Sequence, residues 1–136
     1  MVYSIISPAI PDILNRVRQP FNVDTVALAA ATAVLEDEAY LQKSREVNEA
    51  GLQQLAEGFD RMGLSYIPSA GNFIAVEVGE PAAGIYQALL AHGVIVRPVA
   101  GYGMPRHLRV SVGLPQENER FLDALAEALA SAGLGA

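Results

Sequence analysis

No cysteine and no tryptophan occur among the 136 residues, and lysine occurs once, at Lys43. The lack of cysteine excludes disulfides and thiolate metal sites. Histidine is nearly as scarce, and the spacing of His92 and His107 matches no metal motif. No apolar run is long enough to span a bilayer. The apolar stretch Val2 to Ile6 is too short for a secretory leader and no basic residues precede it, so a cytoplasmic location is expected. A net charge of -6 argues against nucleic acid or an anionic membrane surface as a partner. Lys43 lies in the polar stretch Gln42-Lys43-Ser44-Arg45-Glu46. A Schiff-base lysine needs a desolvated pocket to lower its pKa, and nothing around Lys43 supplies one.

What is present suits a globular chain: 51% of residues are hydrophobic and 18% charged. Helical periodicity dominates the first half. Ile10, Ile13, Leu14 and Val17 form one apolar stripe on a helix from about Pro8 to Gln19, stopped by Pro20. Asn22 or Asp24 can cap an alanine-rich helix from Thr25 to about Leu35. Glu36, Asp37 and Glu38 suit the N-terminus of a long third helix, whose stripe is Leu52, Leu55, Phe59 and Met62 and whose stop is Gly63.

The period then changes to two. Leu64 to Ile67 reads as a short strand. Asn72 to Val78 alternates, with Ile74, Val76 and Val78 facing one way and Phe73, Ala75 and Glu77 the other. Pro81 opens a helix ending near His92-Gly93. Val94 to Arg97 reads as a third strand closed by Pro98. His107 to Val112 is a fourth, sending Leu108, Val110 and Val112 to the core and His107, Arg109 and Ser111 away from it. Pro115 opens a last helix carrying Phe121, Leu122, Leu125 and Leu129. The expected fold is α+β: N-terminal helices, then β-β-α-β-β-α with a mostly antiparallel sheet packed against helices. A boundary is expected at the Pro20 to Asn22 link or just before the long helix.

Few motifs carry chemistry. Gly101-Tyr102-Gly103-Met104-Pro105-Arg106 approaches a dinucleotide fingerprint, but the third glycine is missing and a strand follows instead of a helix N-terminus. Glu36-Asp37-Glu38 is explained by helix-start charge, and no Ser/His/Asp set is identifiable. Arg97 and Arg109 flank the glycine loop on two strands. Two readings stand: solvated surface arginines, or two forks converging on an anion held by parallel hydrogen bonds.

Four strings then occur in order: Arg16-Val17-Arg18-Gln19-Pro20-Phe21-Asn22-Val23, Gly71-Asn72-Phe73-Ile74, Gly93-Val94-Ile95-Val96-Arg97-Pro98 and Leu108-Arg109-Val110-Ser111-Val112-Gly113. Together they resemble the C-terminal portion of histidinol-phosphate aminotransferases, in the fold-type I superfamily of pyridoxal-phosphate enzymes. The resemblance runs from about Ser7 to Leu129. It implies amino-group transfer between histidinol phosphate and glutamate or 2-oxoglutarate in histidine biosynthesis, by a homodimer with active sites at the subunit interface. It matches Arg109 to the arginine that grips the substrate carboxylate and Arg97 to one near the phosphate end of histidinol phosphate. It places Asn72 at the start of the strand lining the cleft, and Asn22 where related enzymes reach toward the partner subunit. It also implies that residues 1–22 are the end of a large domain or a linker and residues 23–136 the small domain. The cofactor's lysine and most of its binding groups would then lie in an N-terminal large domain missing here, so no covalent cofactor is expected on this chain and no activity from it alone. The competing expectation is a free-standing α+β module that binds amino acids or regulates, without catalysis. The Arg16 to Val23 segment has little use in such a module.

Overall fold

A computed structural model describes residues 7, 9–19, 23–80 and 82–133. Internal contacts divide the chain into two units, Met1–Ser44 and Arg45–Ala136. In the first, α1 (Ala9–Val17) has no buried residue and carries an exposed Arg16–Asp12 ion pair of 3.4 Å. Helix α2 (Thr25–Val34) is capped by Asp24, whose carboxylate accepts from the Val26 and Ala27 N–H groups at 2.8 and 3.1 Å. Helix α3 (Glu38–Arg61) starts two residues later than the acidic run predicts. The reason is local: Glu36 and Asp37 donate back to the Ala33 and Val34 carbonyls, closing the turn after α2. The Asp37 carboxylate then accepts from the Tyr40 N–H at 2.9 Å, so it caps α3 instead of joining it.

The second unit is the expected α+β layer pair. Strands β1 (Tyr66–Ile67), β2 (Phe73–Glu77), β3 (Arg97–Pro98) and β4 (His107–Ser111) form one sheet in the order β1-β2-β4-β3, every pair antiparallel. Helices α4 (Ala82–Ala91) and α5 (Pro115–Ser131) join α3 over one face. That face supplies Ile74, Val76, Leu108 and Val110, and the helices answer with Leu55, Phe59, Ile85, Leu89, Phe121 and Leu125. Phe59 meets Phe121 edge-on at 6.2 Å between centroids, a favoured aromatic geometry. Gly51 and Gly58, seven residues apart on α3, let that helix sit close to α5. A Cβ at Gly51 would overlap Val112, and one at Gly58 would lie 2.5 Å from Leu122.

The helix exits decide where strands begin. Gly63 and Gly93 both have positive φ, at 68° and 72°. Each is followed by a residue that donates back to the last turn: Leu64 to the Phe59 carbonyl and Val94 to the Leu89 carbonyl, both at 2.9 Å. This exit corrects the expected third strand. Val94 is committed to the helix end, and Ile95 is 83% exposed, so only Arg97–Pro98 joins the ladder. Proline has no N–H to donate, which suits the edge position. The glycine loop holds a single 3-10 turn, Ala100–Tyr102, and runs into β4, so no helix N-terminus follows it.

A buried polar bracket ties the second unit together. Asn118 on α5 is 2% exposed. Its Oδ1 accepts from the Gly113 N–H at 2.9 Å, and its Nδ2 donates to Gln54 Oε1 at 3.0 Å and to the Gly113 carbonyl at 3.3 Å. Gln54 on α3 in turn donates to the Pro115 carbonyl at 3.0 Å. The bracket fixes the turn that leaves β4, immediately after the strand that carries Arg109.

Candidate functional site

The face of the sheet turned away from the helices carries the residues with chemistry. Antiparallel pairing places residues opposite each other on the same face. Ala75 of β2 faces Arg109 of β4, and Arg97 of β3 faces Arg109 from the other side. The two arginines are therefore direct cross-strand neighbours, with a small alanine completing the row. Like charges set opposite one another repel, so the pair destabilises the bare sheet unless an anion lies between them. Neither arginine forms an ion pair among the described residues. The one glutamate on this face, Glu77, is taken by Arg106 at 3.0 Å.

The two guanidinium groups are held differently. Arg109 is half-buried, its Cζ lies 4.9 Å from the centre of the Phe73 ring, and its Nε is buried without a hydrogen-bond partner. Buried donors are nearly always paired in native proteins, so a lone one marks either strain or a place for something to bind. Arg97 is exposed and donates to Tyr102 Oη over 3.4 Å. His107 stands on the same outward alternation, its Nδ1 also buried without a partner. Asn72 is exposed at the foot of β2, and its carbonyl extends the ladder by accepting from the Val112 N–H at 2.9 Å. Its ties to the arginine row run through Phe73, its neighbour in sequence, and through that ladder bond to the end of the strand bearing Arg109. Asn22 lies outside the described residues.

Four contributors are not legible in the sequence. Alternation puts Phe73 on the outward face, but its place over Arg109 depends on the strand register, which the sequence does not reveal. Asn48 on α3 donates from Nδ2 to the Gly71 carbonyl at 3.1 Å, and Ser69 Oγ accepts from the Gly71 N–H at 3.0 Å; together they pin the loop that delivers Asn72 and Phe73. Tyr102, set aside with the glycine loop, is the partner of Arg97.

This architecture has known relatives. The family model for aminotransferase class I and II matches residues 2–125. The chain belongs to that family. It is 62% identical over 128 residues to histidinol-phosphate aminotransferase 2 of Pseudomonas fluorescens, covering 94% of this chain and 35% of that protein. The same enzyme of Pseudomonas aeruginosa is also 62% identical over 128 residues. Among solved structures, the histidinol-phosphate aminotransferase of Sinorhizobium meliloti in complex with pyridoxal-5'-phosphate superposes with a TM-score of 0.78. It is 29% identical and covers 92% of this chain and 35% of that one. The chain thus spans about a third of the length of the curated relatives it matches.

Pyridoxal phosphate is the cofactor of this family. The residues described here do not fit its covalent attachment. Lys43, the only lysine, is exposed on a polar stretch of α3. What the second unit offers instead is cationic hydrogen-bond donors for an anion.

Proposed function

We propose that this chain is the C-terminal, substrate-positioning small domain of a histidinol-phosphate aminotransferase, moving an amino group between histidinol phosphate and glutamate or 2-oxoglutarate. The observation that carries the reading is the in-register Arg97–Arg109 pair, which no carboxylate among the described residues meets in an ion pair. Relatives at 62% identity bear that enzyme's name, which supports the choice of substrate. In the proposed division, residues 1–22 belong to the end of the large domain and residues 23–136 to the small domain. The remaining partners are that large domain and a second copy of the whole enzyme, in the cytoplasm; no helix among the described residues is long and apolar enough to cross a membrane.

The chemistry asks for two anion grips. Such an enzyme takes a carboxylate from one substrate and a phosphate monoester from the other, in alternate half-reactions on one site. Arg109, with its Cζ 4.9 Å from the centre of the Phe73 ring and its Nε buried, suits a carboxylate held by two parallel hydrogen bonds. Arg97, exposed and loosely tied to Tyr102, can follow a phosphate end of different reach. When bound, the cofactor supplies the electron sink for the amino transfer, and the protein around it supplies placement. This chain's share is to orient the substrate's anionic ends. Alone, without a lysine in a desolvated pocket, it is expected to be inactive.

A chimera tests the reading: the first two-thirds of the Pseudomonas fluorescens relative followed by this chain in place of its own last third. The expected result is turnover of histidinol phosphate with 2-oxoglutarate at a rate close to the parent's. A chimera that folds and takes up pyridoxal phosphate but transfers no amino group from histidinol phosphate would overturn it.

A further inference from the structure

Phe73 has no part in the hydrophobic core. It lies on the sheet face opposite the helices, remains 39% exposed, and is absent from the cluster formed by Ile74, Val76 and their partners. A large aromatic side chain left outside the core at a pinned strand end calls for another account. The register provides one. Phe73 is paired with Ser111 and Ala75 with Arg109, so Phe73 and Arg109 are diagonal neighbours on one face, within reach for an aromatic ring and a long side chain. The guanidinium carbon stands 4.9 Å from the ring centre, inside the range in which an aromatic face attracts a cation. The loop before Phe73 is held from two sides by Asn48 and Ser69, which fixes where the ring sits.

We propose that Phe73 is a positioning residue for Arg109: its ring fixes the plane of the guanidinium and shelters the Nε–H, so that the fork faces an incoming carboxylate already oriented. This rests on Arg109 as the carboxylate-binding arginine and extends that reading to the residue that sets its geometry. Arginine owes its affinity for carboxylates to a planar array of donors, and its flexible stem would otherwise scatter that array. The ring limits the scatter without neutralising the charge, which a glutamate partner would do. That distinction explains why the sheet uses an aromatic residue here and reserves Glu77 for Arg106.

The experiment uses the 136-residue chain and nuclear magnetic resonance, in wild type, Phe73→Leu, Phe73→Tyr and Arg109→Ala. Relaxation of the Arg109 Nε–H signal reads the restraint with no ligand present. Titration with glutamate reads binding. Phe73→Leu should make the Nε–H signal mobile on the nanosecond scale and weaken glutamate binding roughly three- to tenfold, the span of a partly exposed cation–aromatic contact. Phe73→Tyr should restore both, and the melting temperature should stay close to wild type in each, since Phe73 is not core. An Nε–H signal as rigid in Phe73→Leu as in wild type overturns the proposal, as does mobility that Phe73→Tyr fails to rescue. Glutamate binding that survives Arg109→Ala unchanged would instead overturn the assignment of Arg109 to the carboxylate. The relaxation result decides the role of Phe73 independently, even where glutamate binding by wild type is too weak to follow.

Discussion

Asn118→Ala should be the most damaging single change in the second unit that removes no apolar surface. In the native chain the side chain makes three hydrogen bonds, two to Gly113 and one to Gln54. Truncation leaves the half-buried Gly113 N–H and carbonyl without those partners, beside a side chain that is itself 2% exposed. Each buried group left unpaired costs about 1–3 kcal/mol. The half-buried Gln54 can turn partly to water, so its loss adds little. The expected cost is ~2–4 kcal/mol, allowing for partial rescue of the Gly113 carbonyl by water. For a unit of this size that corresponds to a fall in melting temperature of about 10–25 °C, at roughly 4–8 °C per kcal/mol. Urea titration at neutral pH should show a lower midpoint with an unchanged slope, the sign of lost stability without a change in the surface exposed on unfolding. Asn118→Asp should cost a similar amount. It keeps the acceptor for the Gly113 N–H but loses both donors and sets a charged oxygen against the Gly113 carbonyl. A destabilisation below about 0.5 kcal/mol in Asn118→Ala, the scatter of ordinary surface changes, would refute the reasoning.

The close approach of α3 and α5 makes a second case: Gly58→Ala puts a methyl group 2.5 Å from Leu122 and should destabilise by roughly 1–3 kcal/mol through overpacking. Thermal melts of Gly58→Ala, Leu122→Ala and the double variant check this. The double variant should lose less than the two single losses added, and strict additivity would count against the contact. Pyridoxal phosphate mixed with the isolated chain should give no absorbance band that Lys43→Ala abolishes, because Lys43 is exposed. A stoichiometric band that disappears in that variant would contradict the expectation.

Element identity was legible because it depends on local periodicity. The alternation through Ile74, Val76, Leu108 and Val110 predicts which side of each strand is buried, and those four residues are at most 4% exposed. The same alternation puts Arg109 on the opposite face. What local pattern could not reveal was anything that depends on pairing. That Arg97 faces Arg109, or that Phe73 lies over it, follows only from the β2–β4–β3 register. The third strand was overestimated for a physical reason: Val94, Ile95 and Val96 carry strong strand propensity, but the helix exit at Gly93 takes the Val94 N–H before it can enter a ladder. Asn118 was invisible for a different reason. A single asparagine between Glu117 and Glu119 on a polar helix face looks solvated, and only the packing of α3 and the turn at Gly113 encloses it. Gly51 and Gly58 lie inside a helical pattern that would favour alanine, and the reason for them is a neighbour more than 60 residues away in sequence.

The central claim is that Arg109 grips the substrate carboxylate, and kcat/KM for glutamate in the chimera tests it most directly. The alternation fixes Arg109 away from the core, so its loss should leave the melting curve little changed. Removing one partner of a desolvated, hydrogen-bonded charge pair typically costs about 2–5 kcal/mol. At about 1.4 kcal/mol per factor of ten, Arg109→Ala should lower kcat/KM for glutamate by roughly thirty-fold to several thousand-fold. Arg109→Lys should recover little of it, because an ammonium group cannot reproduce the planar fork. Near-normal kcat/KM in both variants, with the chimera folded and loaded with cofactor, would mean that Arg109 is a surface residue and that the carboxylate is held elsewhere.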